Sequence, residues 1–165
     1  MLVLGGATTA VATQTNVSTA QAAPAAPRGI ARLHGQVSLP DGPWTDTPLE
    51  VKLPRSGTYQ LDADVRGRSG GAPPINSYIT ARLWDVESAT ALPESERLIR
   101  QVINANAREG VGNQTAPIQE LVKVGGPTTI RLQARRIDAT GHANIAQIYS
   151  DANGYTSLRY ERVGS

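Results

Sequence analysis

Apolar and polar residues alternate with a period of two through most of the chain beyond Leu49, which is the pattern of strands that cover a core on one face only. Residues 58–66 carry it most plainly. Tyr59, Leu61, Ala63 and Val65 fall on one side, and Thr58, Gln60, Asp62, Asp64 and Arg66 on the other. Ile79, Ala81 and Leu83 alternate with Thr80, Arg82 and Trp84, and Ile130, Leu132 and Ala134 alternate with Thr129, Arg131, Gln133 and Arg135. Shorter strands are predicted over 30–39 and 49–53. Turn chemistry then suggests partners: Gly125-Gly126-Pro127 predicts an antiparallel hairpin between 117–124 and 128–137, and Asn153-Gly154 predicts a second between 145–150 and 155–163.

One segment carries conflicting signals. Pro93, Glu94 and Glu96 stand ahead of Leu98, Ile99, Val102 and Ile103, and Gly110 closes the run, which locally favours a helix. A chain with strands at such regular intervals needs a strand here to fill both sheets. We therefore expect a strand over 97–103, with a helix across 94–109 as the alternative. The fold class that follows is all-β, a two-sheet antiparallel sandwich of about nine to ten strands.

Composition narrows the chemistry. The 165 residues, 39% hydrophobic and 18% charged, suffice for one ordinary domain. There is no cysteine, which excludes disulfides, thiolate nucleophiles and cysteine-bound metals. His34 and His142 lack any metal-ligand spacing, and phenylalanine is absent, so the core rests on aliphatics, Tyr and Trp. The net charge of +2 comes from basic and acidic residues that are interleaved, unlike the one-sign patch of a nucleic-acid binder. The only basic doublet, Arg135-Arg136, reads as a solvated strand edge.

The first 27 residues carry no charge, and the composition changes at Arg28. The opening apolar stretch is too short to span a bilayer, which takes ~20 residues. It reads as a signal peptide with an A-x-A cleavage site at Ala20-Gln21-Ala22. The expected layout is a signal peptide over 1–22, a linker and possible first strand over 23–39, and a β-sandwich over 40–165, giving a secreted protein with no membrane span.

The stretch Ser56-Gly57-Thr58-Tyr59-Gln60-Leu61-Asp62-Ala63-Asp64-Val65 resembles the G-x-Y-x-hydrophobic-x-hydrophobic strand of the complement globular-head and tumour-necrosis-factor-like jelly rolls. The layout of the later strands, ending on Leu158-Arg159-Tyr160, is similar as well. The resemblance covers residues 40–163. It implies a jelly roll that assembles as a homotrimer, binds a ligand or surface through its loops and has no catalytic activity.

Three candidate chemistries compete with simpler readings. Gly67-Arg68-Ser69-Gly70-Gly71 satisfies G-x-S-x-G, and Asp138 and His142 follow in hydrolase order. The succeeding Ala72-Pro73-Pro74 cannot open the required helix, so this stretch reads as an inter-strand loop and the chain as a non-enzyme. Asp151-Ala152-Asn153-Gly154 is too short and wrongly continued for an EF-hand. No cofactor is expected, with Asp41, Asp46, Asp85 and Glu87 the loop carboxylates available to a looser calcium site. Trp44, Trp84, Tyr78 and Tyr155 are the candidate ligand-binding residues, an aromatic platform that would suit a monomeric carbohydrate-binding module as the alternative to a trimer.

Overall fold

The computed structural model describes residues 26–105 and 110–165. The predicted signal segment, 1–22, lies outside these residues. Eleven strands and no helix make up the described chain: β1 (Arg28–Arg32), β2 (Gln36–Ser38), β3 (Thr45–Leu53), β4 (Gly57–Gly71), β5 (Ile75–Asp85), β6 (Thr90–Ala91), β7 (Arg97–Asn104), β8 (Gly110–Val124), β9 (Thr128–Thr140), β10 (Ile145–Tyr149) and β11 (Ser157–Gly164).

They form two antiparallel sheets. In sheet A, β4 is flanked on one side by β8 and on the other by β10 and β11, with β1 and β2 outermost; in sheet B the order is β3, β9, β5 and then β6 and β7. β10 pairs with residues 67–70 of β4 and β11 with residues 58–64, so β10 and β11 lie end to end as one interrupted strand, and β1 with β2 form another. Counted by path, each sheet is four strands wide. Numbering the eight paths along the chain gives the orders 1-8-3-6 and 2-7-4-5, the double Greek key of a jelly roll.

Both predicted hairpins are corrected by this topology. β8 pairs with β4 in sheet A while β9 pairs with β3 and β5 in sheet B, so Gly125-Gly126-Pro127 carries the chain between sheets. Asp151–Gly154 is a small closed turn that interrupts one strand path, because β10 and β11 share the partner β4 and do not pair with each other. Arg135-Arg136 is not at an edge either, since β9 lies between β3 and β5.

Segment 97–103 is a strand, as the need to fill both sheets required. A β-bulge explains its helix-like pattern. The register steps from Thr80↔Leu98 to Ile79↔Arg100, which leaves Ile99 as the extra residue. Ile99 and Val102 are therefore both buried although they stand three apart.

Facing sheets bury Leu49 and Leu53 of β3, Tyr59, Leu61 and Val65 of β4, Ile79 and Leu83 of β5, and Ile130 and Leu132 of β9. Each fully buried side chain of this size stabilises the fold by roughly 1.5–3 kcal/mol. Tyr59 does the work of a missing Phe, with its hydroxyl donating to the Arg55 carbonyl at 2.9 Å. Toward the other end the inward positions become Gly67, Ser69 and Gly71 of β4, Ser77 of β5, and Arg136 and Asp138 of β9. A Cβ on Gly67 would lie 2.8 Å from Ile99 Cγ2, so glycine there lets β7 and β4 approach.

The outermost strands are all interrupted. β1 and β2 are separated at residues 33–35, β3 shifts register between Asp46 and Glu50 around Pro48, β7 carries its bulge, and β8 has Pro117 at its middle.

Candidate functional site

The outer face of sheet B gathers side chains from the segment before β3, from β5 and from β9. In β5 the outward set is Tyr78, Thr80, Arg82 and Trp84, and in β9 it is Arg131, Gln133 and Arg135. Register places Trp84 opposite Arg131, Arg82 opposite Gln133 and Thr80 opposite Arg135. Cross-strand neighbours on one face lie within side-chain reach, and a ladder results.

Arg82 is its centre. Its guanidinium carbon lies 4.0 Å from the Trp44 ring centroid and 4.7 Å from that of Trp84, while Arg135 lies over Trp44 at 4.5 Å. Arg82 Nε donates to Gln133 Oε1 at 2.8 Å, and Gln133 Nε2 donates to Asp46 at 2.7 Å. Burial, with the neighbouring Arg135 charge adding to it, lowers the Arg82 pKa below the ordinary arginine value; Glu96 and Asp46 act in the opposite sense. Arg131 bonds to Glu50 and Asp46, each at 2.9 Å, and its pKa is raised, chiefly by the Glu50 hydrogen bond. Arg135 pairs with Glu96 at 2.9 Å.

The four candidate aromatics do not form one platform. Trp44 and Trp84 meet through Arg82, which occupies ring surface that a sugar would otherwise use. Tyr78 shares the face of Trp84 but stands six residues away, about 20 Å along a strand. Tyr155 lies in the other sheet, in the turn region between β10 and β11, edge-on to His34 at 6.0 Å and under Arg32 at 5.9 Å. Arg66 braces that turn. It binds Asp151 at 2.7 Å and the Gly154 carbonyl, and stacks 4.5 Å over Tyr149. The Asp151 carboxyl is held below its ordinary pKa by the Arg66 hydrogen bond first and the Asn153 amide second.

The four loop carboxylates are likewise dispersed. Asp46 serves Arg131 and Gln133, and Asp41 accepts the Asp138 amide at 3.0 Å. Asp85 and Glu87 converge on the Thr128 hydroxyl at 2.6 and 2.7 Å. The Thr129 amide also donates to Glu87, and this bond, then that of Thr128, holds the Glu87 carboxyl down at about 2. Among the described residues no three His, Asp or Glu side chains gather as a metal would require.

The G-x-S-x-G stretch is not a loop but the end of β4. Ser69 is fully buried and its hydroxyl has no hydrogen-bond partner among the described residues. Asp138 does approach His142, at 3.5 Å, but the imidazole is 87% exposed whereas Ser69 is fully buried. A nucleophile elbow is therefore absent here.

Sequence reasoning singled out the indoles and missed Arg82, Gln133 and Arg135. Their signal was present as outward positions of two strands; what was lacking was the pairing of β5 with β9.

No protein-family model matches the chain, and no curated protein does. Among solved structures, the infectious bursal disease virus VP2 subviral particle is similar over 92% of this chain and 42% of its own, with 13% identity and a TM-score of 0.43. The structure of the Gx strain of that virus is similar over 93% of this chain and 47% of its own, with 9% identity and a TM-score of 0.39. The chain thus spans less than half the length of these structures. Its jelly-roll assignment rests on strand order. No helix of the described residues is long and apolar enough to cross a membrane.

Proposed function

We propose that the chain is a secreted, non-enzymatic binding domain that assembles as a homotrimer through sheet A and leaves the outer face of sheet B free for recognition. The observation that carries this is where exposed apolar surface lies. Of the large apolar side chains that are exposed among the described residues, Ile30, Val111, Leu121, Tyr155 and Val163 belong to sheet A strands or their connection, and Leu98 and Ile103 lie on β7, the edge strand of sheet B, opposite Thr80 and Asn76 on its outer face. Sheet B outside β7 has none among the described residues; its outer face is occupied by the arginine, indole and carboxylate ladder. Five of these seven residues belong to sheet A, and apolar surface weighted to that side favours association there. Secretion rests on the uncharged leader and its A-x-A site. The non-enzymatic reading is supported by the burial of Ser69, the nucleophile candidate of the G-x-S-x-G stretch, inside a strand.

Light scattering on the purified, processed protein tests the assembly. Three copies are expected, and Leu121→Arg, at a position 69% exposed in the single chain, is expected to yield folded monomers that still melt cooperatively, at a lower temperature than the trimer. A monomeric wild type would sink the trimer. The indole pair favours a second reading, a monomeric carbohydrate-binding module, which a monomer retained on polysaccharide would support.

A further inference from the structure

Three arginines share the outer face of sheet B, and their partners are unevenly distributed. Arg131 engages two carboxylates, Asp46 and Glu50, and Arg135 engages Glu96. Arg82 has none. Only its Nε is bonded, to Gln133, and its two terminal nitrogens make no hydrogen bond among the described residues. The side chain is nevertheless immobilised by two indoles, so little conformational freedom remains to be lost on binding. A fixed guanidinium with both terminal nitrogens open matches the two oxygens of a carboxylate.

The surroundings narrow the ligand further. Arg82 lines a hollow of about 270 Å³, whose other walls are Ala91, Leu92 and Pro93 on the apolar side and Glu94, Ser95 and Glu96 on the polar side. This is below the roughly 300–1,000 Å³ of drug-sized sites and suits a single ring. Glu94 holds a left-handed backbone, φ 58°, and its carboxylate has no partner among the described residues. Two glutamates disfavour a phosphate or another multiply charged anion. They favour a ligand with one carboxylate and several hydroxyl donors, while Ala91 and Pro93 offer surface to a C–H face.

We propose that Arg82, clamped between Trp44 and Trp84, is the carboxylate-reading group of a binding site for an acidic saccharide. The assignment rests on the binding role proposed above and deepens it, but does not need the trimer.

The test compares galacturonate, a single ring with one carboxylate, with its methyl ester by calorimetry on the processed protein, because the two probes differ only in the free carboxylate. Binding of the acid with an affinity about tenfold or more above that of the ester is expected, as a charge-assisted pair of hydrogen bonds would give. Arg82→Gln should abolish that preference. Arg82→Lys, which keeps the charge but loses the fork, should lose most of it; melting curves of both variants establish that they fold. Equal binding of acid and ester, or a preference that survives in Arg82→Gln, overturns the assignment, as does failure to bind either probe. In that last case a trimeric mass would leave the assembly standing, whereas a monomer with acid-selective binding would remove the assembly and keep the site.

Discussion

The two ends of the sandwich interior are built on different terms. Around Leu61, Leu83, Ile130 and Leu132 the sheets meet through fully buried aliphatic side chains. Around Ser69 and Ser77 they meet through glycines, hydroxyls and the Arg136–Asp138 ion pair, whose Nε and Oδ1 face each other at 3.5 Å, and Ser69 Oγ and Ser77 Oγ lack hydrogen-bond partners there among the described residues. A buried polar atom without a partner costs about 1–3 kcal/mol, so the first end supplies stability that the second consumes. The difference also positions the candidate site: Arg82 and Trp84 flank Leu83 in β5, and the ladder is backed by the aliphatic end.

The largest effect expected from this contrast is at Leu83. Leu83→Ala removes a fully buried side chain and is expected to lower stability by about 2–5 kcal/mol, read from urea denaturation. A cost below that of the substitutions at the polar end would erase the distinction between them. Next comes Gly67→Ala, expected to cost about 1–3 kcal/mol because the new methyl meets Ile99. Combined with Ile99→Ala, which removes the Cγ2 methyl it meets, it should cost clearly less than the sum of the two single substitutions; strict additivity would mean that crowding is not the cause. Ser69→Ala, by contrast, removes an unpaired hydroxyl and should leave stability within about 1 kcal/mol of wild type, on the stabilising side. A clear destabilisation would show that the hydroxyl has a partner after all.

The smallest effect is a pH dependence at the aliphatic end, where Glu87 ties the β5–β6 turn to the start of β9. Its carboxyl is held at about 2 against an ordinary value of 4.5, so its contribution is complete above the ordinary value and fades as pH falls toward 2. Glu87→Gln should therefore flatten the acid loss of stability between those two values and leave the neutral range unaltered in slope. An identical acid profile in the variant would remove Glu87 from the account.

Alternation made the strands legible because burial on one face imposes period two directly on residues such as Tyr59, Leu61, Ala63 and Val65. Partnership was not legible, since Gly125-Gly126-Pro127 specifies a turn but not whether the chain returns to the same sheet or crosses to the other. That ambiguity hid the site as well: with β9 assigned to β8, Gln133 and Arg135 could not be set beside Arg82. The bulge at Ile99 imitated helical spacing for a related reason, because one extra residue shifts the inward phase. Ser69 was misplaced by its glycines, which read as loop residues when they in fact permit close packing.

The interruptions along every outer strand bear on how far assembly proceeds. An uninterrupted edge offers a row of amides and carbonyls onto which another chain can extend the sheet without limit, the geometry of cross-β fibres. Pro117 removes a donor from the centre of the longest such edge, and Pro48 with its displaced register does the same on the opposite flank of the molecule. Open-ended growth of the sheets through these edges is thereby disfavoured, whichever association the side chains support.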